Sequence, residues 1–484
     1  MKDLKDNNKK SFFAGIKASF SGRKLRSGAY VTAMSVVVIV IVIVVNMLFT
    51  KINLQVDLST QSMYTLSKDT KTLVKDLKDD VTIYYLVQNG TEADLFKNIV
   101  KQYDAASDKV KVEFKDPVLY PSFAKNLGVE DKIQNNSFLV VNNASKKAKY
   151  VDYNDLLVTE TDPQTYEQKT TAIDVEGELT SAIQNVTTTQ PTKMYIVEGH
   201  GETETGTNFA ELVKKMNVTT DSLKTLSEKS VPKDCNMLFI SAPTSDFNDV
   251  ETKMIKDYLI AGGKAIFTVN YDSEKLKNFL SILEYYGIEM VDGVVLEGDS
   301  NMQLNDHQNY LLPDVQSNDI TKIVKANKIP VLMPAASGLN IADQKRKTLT
   351  ITPLLTTSEA AYSKVNMSSE ILEKEKGDIS GPFNLAMVST DNYNNVTSGI
   401  VVYGSAYTFS DEVKTYANPD LLSGSIGYCI GNKNLLSIPT KSLSSPSLQM
   451  SQNQVIIIGS TVVLIIPVVI LMLGGFICYR RRRK

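Results

Sequence analysis

Residues 193–206 read KMYIVEGHGETETG. Met194 to Val197 is a short apolar run that predicts a strand, and Gly199-His200-Gly201 breaks it. Asn208, with Glu211 three residues on, has the spacing of a helix cap, and Phe209, Leu212, Val213 and Met216 share one helical face. Met237 to Ile240 predicts another strand, Val250 to Ile260 a helix closed by Gly262-Gly263, and Lys264 to Val269 a third strand. Strands alternating with helices of this length predict a parallel sheet covered on both faces. In such a sheet the loop at 199–206 lies at the carboxyl end of a strand, where ligands usually bind.

The loop holds one of only two histidines, flanked by Glu198, Glu202 and Glu204. Glu198, His200 and Glu202 are the candidate ligand or partner contacts. The alternative is a glycine turn whose histidine bonds to local backbone. Gly199, Gly201 and Gly206 miss the spacing of the dinucleotide fingerprint, and no lysine follows as in a phosphate-binding loop. A zinc site needs further ligands, and the other histidine, His307, is remote in sequence. No GxSxG elbow is present, and Cys235 precedes its strand instead of following it. No catalytic residue, metal site or cofactor is assigned.

Upstream, Val81 to Val87 predicts a strand, Glu92 to Asp104 a helix with Leu95, Ile99 and Tyr103 on one face, and VKVEFKD a second strand. PSFAKNLG predicts a short helix ending at Gly128, and SFLVV with KAKYVDY a closing hairpin. This order resembles a thioredoxin-like fold. The position of that family's redox cysteines holds Gln88-Asn89-Gly90-Thr91, so the resemblance is to the scaffold without the redox chemistry. Downstream, Thr348 to Thr352, Asn384 to Val388 and Gly399 to Tyr403 predict strands, with a charged loop or helix over Lys364 to Gly377. Cys235 and Cys429, with no CxxC motif, read as two buried thiols, the alternative being a lone bridge between them.

Two apolar runs, Tyr30 to Phe49 and Val455 to Tyr479, have the length of a bilayer-spanning helix. Lysines and arginines precede the first and follow the second, which predicts two passes with both termini cytoplasmic. The net charge is −2, so with the basic tails set aside the middle of the chain is strongly acidic, which argues against nucleic acid as a partner. The expected organisation is a basic tail at 1–28, a membrane helix at 29–49, and a thioredoxin-like α/β ectodomain at 50–175. An amidotransferase-like α/β ectodomain at 176–432 follows, then a Ser- and Pro-rich tether at 433–453, a membrane helix at 454–479 and a basic tail at 480–484. The absence of tryptophan and the wealth of lysine, asparagine and threonine suit an AT-rich bacterial genome.

EGELTSAIQNVT (Glu176 to Thr187), MYIVEGHGE, SAPTSDFNDVETKMIKDYLIAGGKAIFTV and VVYGSAYTFSDEV occur in this order. Their combination resembles the GldG-type auxiliary component of bacterial ABC transport systems. The large predicted domain also resembles the class I amidotransferase-like (flavodoxin-like) and intraflagellar-transport fold group. The resemblance implies a two-TM-anchored protein of the cell membrane with its ectodomain outside. It further implies an ABC permease, an ABC ATPase and the lipid bilayer as partners, and no enzymatic activity. Where amidotransferases carry a nucleophile cysteine, strand Lys264 to Val269 runs into Asn270-Tyr271-Asp272.

Two functions follow. The first is a non-catalytic accessory subunit of an ABC transport system, whose ectodomain binds substrate or envelope partners. The second is a membrane-anchored envelope enzyme or sensor acting through Glu198, His200 and Glu202.

Overall fold

The computed structural model describes residues 34–44, 47, 63–129, 133–161, 167–327, 329–369, 371–431, 438 and 440–443. The chain divides into two compact units, Met1–Met63 and Tyr64–Lys484. In the first unit, residues 34–44 and 47 are helical. Here the expected membrane architecture is corrected: among the described residues no helix is long and apolar enough to cross a membrane. The second run, 455–479, lies outside the described residues. The two-TM-anchored ectodomain, the two-pass cell-membrane placement with cytoplasmic termini, and the bilayer as partner are therefore set aside. What stands is a mixed α/β fold.

In the second unit, helix Lys68–Lys75 (α1) leads to a four-stranded sheet. Its central strand, Val81–Leu86 (β1), is rich in β-branched and aromatic residues and almost wholly buried. It runs parallel to Val110–Lys115 (β2) and antiparallel to Ser137–Asn142 (β3), which pairs with Ala148–Val151 (β4). Helix Asp94–Ala106 (α2) buries Phe96, Ile99, Val100 and Tyr103, an i, i+3, i+4, i+7 stripe. Helix Val175–Thr187 (α3) packs on β3 and β4. Leu157–Thr161 (β5) and Gln168–Ile173 (β6) form a hairpin that Lys441–Ser442 joins as a third strand. The pairing docks part of the segment 433–453, read from its composition as a tether.

The large sheet starts with four parallel strands. Thr192–Glu198 (β7) is flanked by Val218–Lys224 (β8) and Met237–Ser241 (β9); Lys264–Thr268 (β10) pairs with β9. Successive side chains enter opposite cores. Met194, Phe239, Ile266 and Val401 face helices Thr207–Lys215 (α4) and Asn418–Ile430. Tyr195, Leu238, Ala265, Phe267 and Val402 face helices Asp249–Ile260 (α5) and Lys277–Tyr285 (α6).

Beyond β10 the architecture departs from an all-parallel sheet. Strands Ile288–Met290 (β11), Leu339–Ile341 (β12), Leu349–Thr356 (β13) and Asn384–Tyr393 (β14) extend the sheet antiparallel, and Val396–Tyr403 (β15) returns to pair in parallel with β10. The reason is local. Asn394 and Asn395 both adopt positive φ (49° and 62°), the conformation of a two-residue hairpin turn, which leaves no room for a crossover helix. Among the described residues the charged segment after Lys364 holds no helix; buried Lys364 is ion-paired there with Glu375 and Asp378.

Candidate functional site

The chain leaves β7 towards β8 on one side and then returns to β9 on the other. The carboxyl ends of β7 and β9 thus flank the point where the strand order reverses, the crevice in which open α/β sheets bind ligands. The loop 199–206 stands there, as its sequence predicts, and the crevice is filled by the protein itself.

His200 is buried at 3% exposure and meets the ring of Phe247 edge-on at 4.5 Å. Its Nε2 lies 3.2 Å and 3.3 Å from the two carboxylate oxygens of Glu251, itself buried. Its Nδ1 lies 3.4 Å from Glu202 Oε1. That last approach has ion-pair distance without hydrogen-bond alignment, and Nδ1 and Glu202 Oε1 are both buried without a hydrogen-bond partner.

Both carboxylates are otherwise engaged. Glu202 Oε2 accepts from the amides of Gly199 and His200 at 3.0 Å and 2.9 Å. Glu251 accepts from the Thr225 hydroxyl at 2.5 Å and closes the capping box of α5 by accepting from Asn248 N at 2.9 Å. The His200 carbonyl accepts from the amides of Thr244 and Ser245, both at 2.9 Å. Gly201 holds φ +70°, and a Cβ there would stand 2.2 Å from Thr244 Oγ1. The loop is thus pinned to the β9–α5 connection by side chain and backbone together.

Of the predicted site residues, the structure brings His200 and Glu202 together and leaves Glu198 exposed at the end of β7. Glu251, Thr225, Thr244 and Phe247 complete the cluster and are absent from the sequence-based set. Glu251 had a legible signal, since Asn248 and Glu251 have capping-box spacing. The predicted cap Asn208 is not one: α4 begins after Gly206, and Asn208 N and Nδ2 donate to Asp411 at 2.9 Å and 2.8 Å. Thr207 N and Oγ1 donate to the same carboxylate. These donors, the Asn208 amide foremost, hold the Asp411 carboxyl below the usual aspartate range.

Among the described residues no hydroxyl or thiol is hydrogen-bonded to the His200 ring. Cys235 and Cys429 are free, and burial pushes their thiols up to about 11 and about 12. The arrangement is chemically a brace.

Residues 191–436, which contain the large sheet and this cluster, match the family model described as ABC-type uncharacterized transport system. Residues 60–159 match one described as Domain of unknown function (DUF7088). No curated protein matches the chain. Among solved structures, the mmIFT52 N-terminal domain is 16% identical, with 49% of this chain and 97% of that chain covered, at a TM-score of 0.37. A putative GMP synthase protein from Thermoplasma acidophilum is 12% identical, with 51% and 98% covered, at a TM-score of 0.29. A putative ThuA-like protein from Parabacteroides merdae is also 12% identical, with 53% and 93% covered, at a TM-score of 0.29. By its match over half its length, from the opening strand of the large sheet through its last helix, this chain belongs to the ABC-type uncharacterized transport system family, as an auxiliary component.

Proposed function

We propose that this chain is the non-catalytic accessory subunit of an ABC transport system and works by binding the permease and ATPase chains. Residues 50–175 and 176–432 act as its two α/β modules. The observation that carries this reading is the self-filled crevice: the imidazole most suited to chemistry is buried between two carboxylates that already serve the protein's own backbone. Nucleotide hydrolysis falls to another chain, because this one has no phosphate-binding loop. Exposed Glu198 is the partner contact in the loop, while His200 and Glu202 keep the loop in place.

The test is to tag the chain, solubilise the native source gently and ask whether an ABC permease and its ATPase co-purify in fixed ratio. Recovery of this chain alone, under conditions where permease and ATPase stay joined to each other, defeats the reading. The enzyme alternative gains ground if His200→Gln abolishes function while fold and assembly persist.

A further inference from the structure

We propose that the small sheet carries a binding site for a small organic anion, a carboxylate joined to an apolar body. The last residues of the parallel pair β1 and β2, Leu86 and Lys115, line a cavity of about 350 Å³. That volume lies at the small end of the range of ligand pockets, roughly 300–1,000 Å³. Leu86, Tyr120, Phe123 and Ile133 supply apolar and aromatic wall.

The charge of the wall is what selects the ligand. The described lining contains two lysines, Lys115 and Lys125, and no carboxylate, in a chain whose acidic residues outnumber its basic ones, 54 to 52. Asp116, next to Lys115, is turned to the backbone: Oδ1 accepts from Val118 N and Leu119 N at 2.8 Å and 3.2 Å, and Oδ2 from Asn89 N at 3.4 Å. Lys115 Nζ sits 4.5 Å from the centroid of the Tyr120 ring and 5.0 Å from that of Phe123. Aromatic faces orient an ammonium without neutralising it, so the charge remains available to an anion.

The rim supplies the second half of the recognition. Val118, Leu119 and Tyr120 are 64%, 70% and 54% exposed, an apolar lip beside a cation. Inorganic phosphate would leave that lip unused, whereas a carboxylate with a hydrocarbon or aromatic body satisfies both. Such chemistry is offered by a free small molecule and by the carboxyl terminus of a polypeptide.

The experiment titrates the full chain with N-acetylphenylalanine and with its uncharged amide, followed by calorimetry or ligand-observed NMR. The acid should bind at least about tenfold more tightly than the amide, as one charge-assisted hydrogen bond requires. Lys115→Gln should erase that preference, and Tyr120→Ala should weaken acid and amide alike. A short peptide ending in phenylalanine identifies the source: tighter binding than the free acid points to a chain terminus, and equal binding to a small anion. Equal affinity for acid and amide in the unmodified protein, or no binding of either, overturns the proposal without reliance on any variant.

Discussion

Glu176 and Lys441 meet at 3.1 Å although they lie in opposite halves of the chain, on α3 and on the short strand that closes the β5–β6 hairpin. Glu176 is 3% exposed and also accepts from Ser67 N and the Thr70 hydroxyl, each at 2.7 Å. Lys441 Nζ donates in turn to the Thr65 carbonyl at 2.8 Å. One buried carboxylate therefore ties the segment entering α1 to the segment leaving the fold.

Removing one member of such a buried pair strands the other. Lys441→Ala is expected to cost about 3 kcal/mol in chemical denaturation, and Lys441→Met combined with Glu176→Gln to recover part of it. A double-mutant cycle with no coupling between the two sites would show that the ion pair contributes nothing.

The brace around His200 makes its own claim. His200→Ala leaves two buried carboxylates facing a cavity, so the loss should be about 3 kcal/mol, more than the roughly 1 kcal/mol of a single local hydrogen bond. Assembly with the permease and ATPase should persist wherever the variant is folded. Normal thermal stability with lost assembly would reverse the assignment and make the imidazole a contact.

Asp411 stands at the head of α4 as a cap supplied from a distance. Asp411→Ala should cost about 1 kcal/mol, in the range of lost helix caps. Because folding depresses the Asp411 pKa below its unfolded value, its contribution is present above the usual aspartate pKa and is lost as pH falls through the depressed one. Asp411→Asn should therefore show a shallower loss of stability on the acid side. Identical acid limbs for the two proteins would refute the linkage.

Burial raises the thiols of Cys235 and Cys429, so at neutral pH neither is thiolate. With the chain's third cysteine removed by Cys478→Ser, a chromogenic disulfide reagent should react slowly with the folded protein and rapidly once it is unfolded. Fast labelling of Cys235 in the folded state would mean that its surroundings are more open than its contacts with Met237 O and Tyr258 OH at 3.3 Å and 3.5 Å imply.

The α/β class was legible because the period of apolar residues is a local property. The predicted strands at Met194 to Val197, Met237 to Ile240 and Lys264 to Val269 differ from the observed Thr192–Glu198, Met237–Ser241 and Lys264–Thr268 only at their ends. Helix α2 kept its place, but its buried face is led by Phe96 where Leu95 was expected, since packing on the sheet selects among neighbouring stripes. The glycine break at 199–201 was equally visible, because positive φ is a demand on the residue itself.

What the loop does and how the sheet ends emerged only in the folded chain. Glu251 lies 51 positions from His200 and Asp411 lies 204 positions from Thr207, and a carboxylate reads the same in sequence whether it faces water or a buried imidazole. The β14–β15 hairpin is written in its two-residue Asn394-Asn395 turn, but the parallel pairing of β15 with β10, more than a hundred residues earlier, leaves no mark on either strand's own pattern. Short-range sterics and hydrophobic period, both written in the order of residues, set which segments form strands and helices. Their union, through charge pairs whose energy depends on burial, was settled only when the chain closed around them.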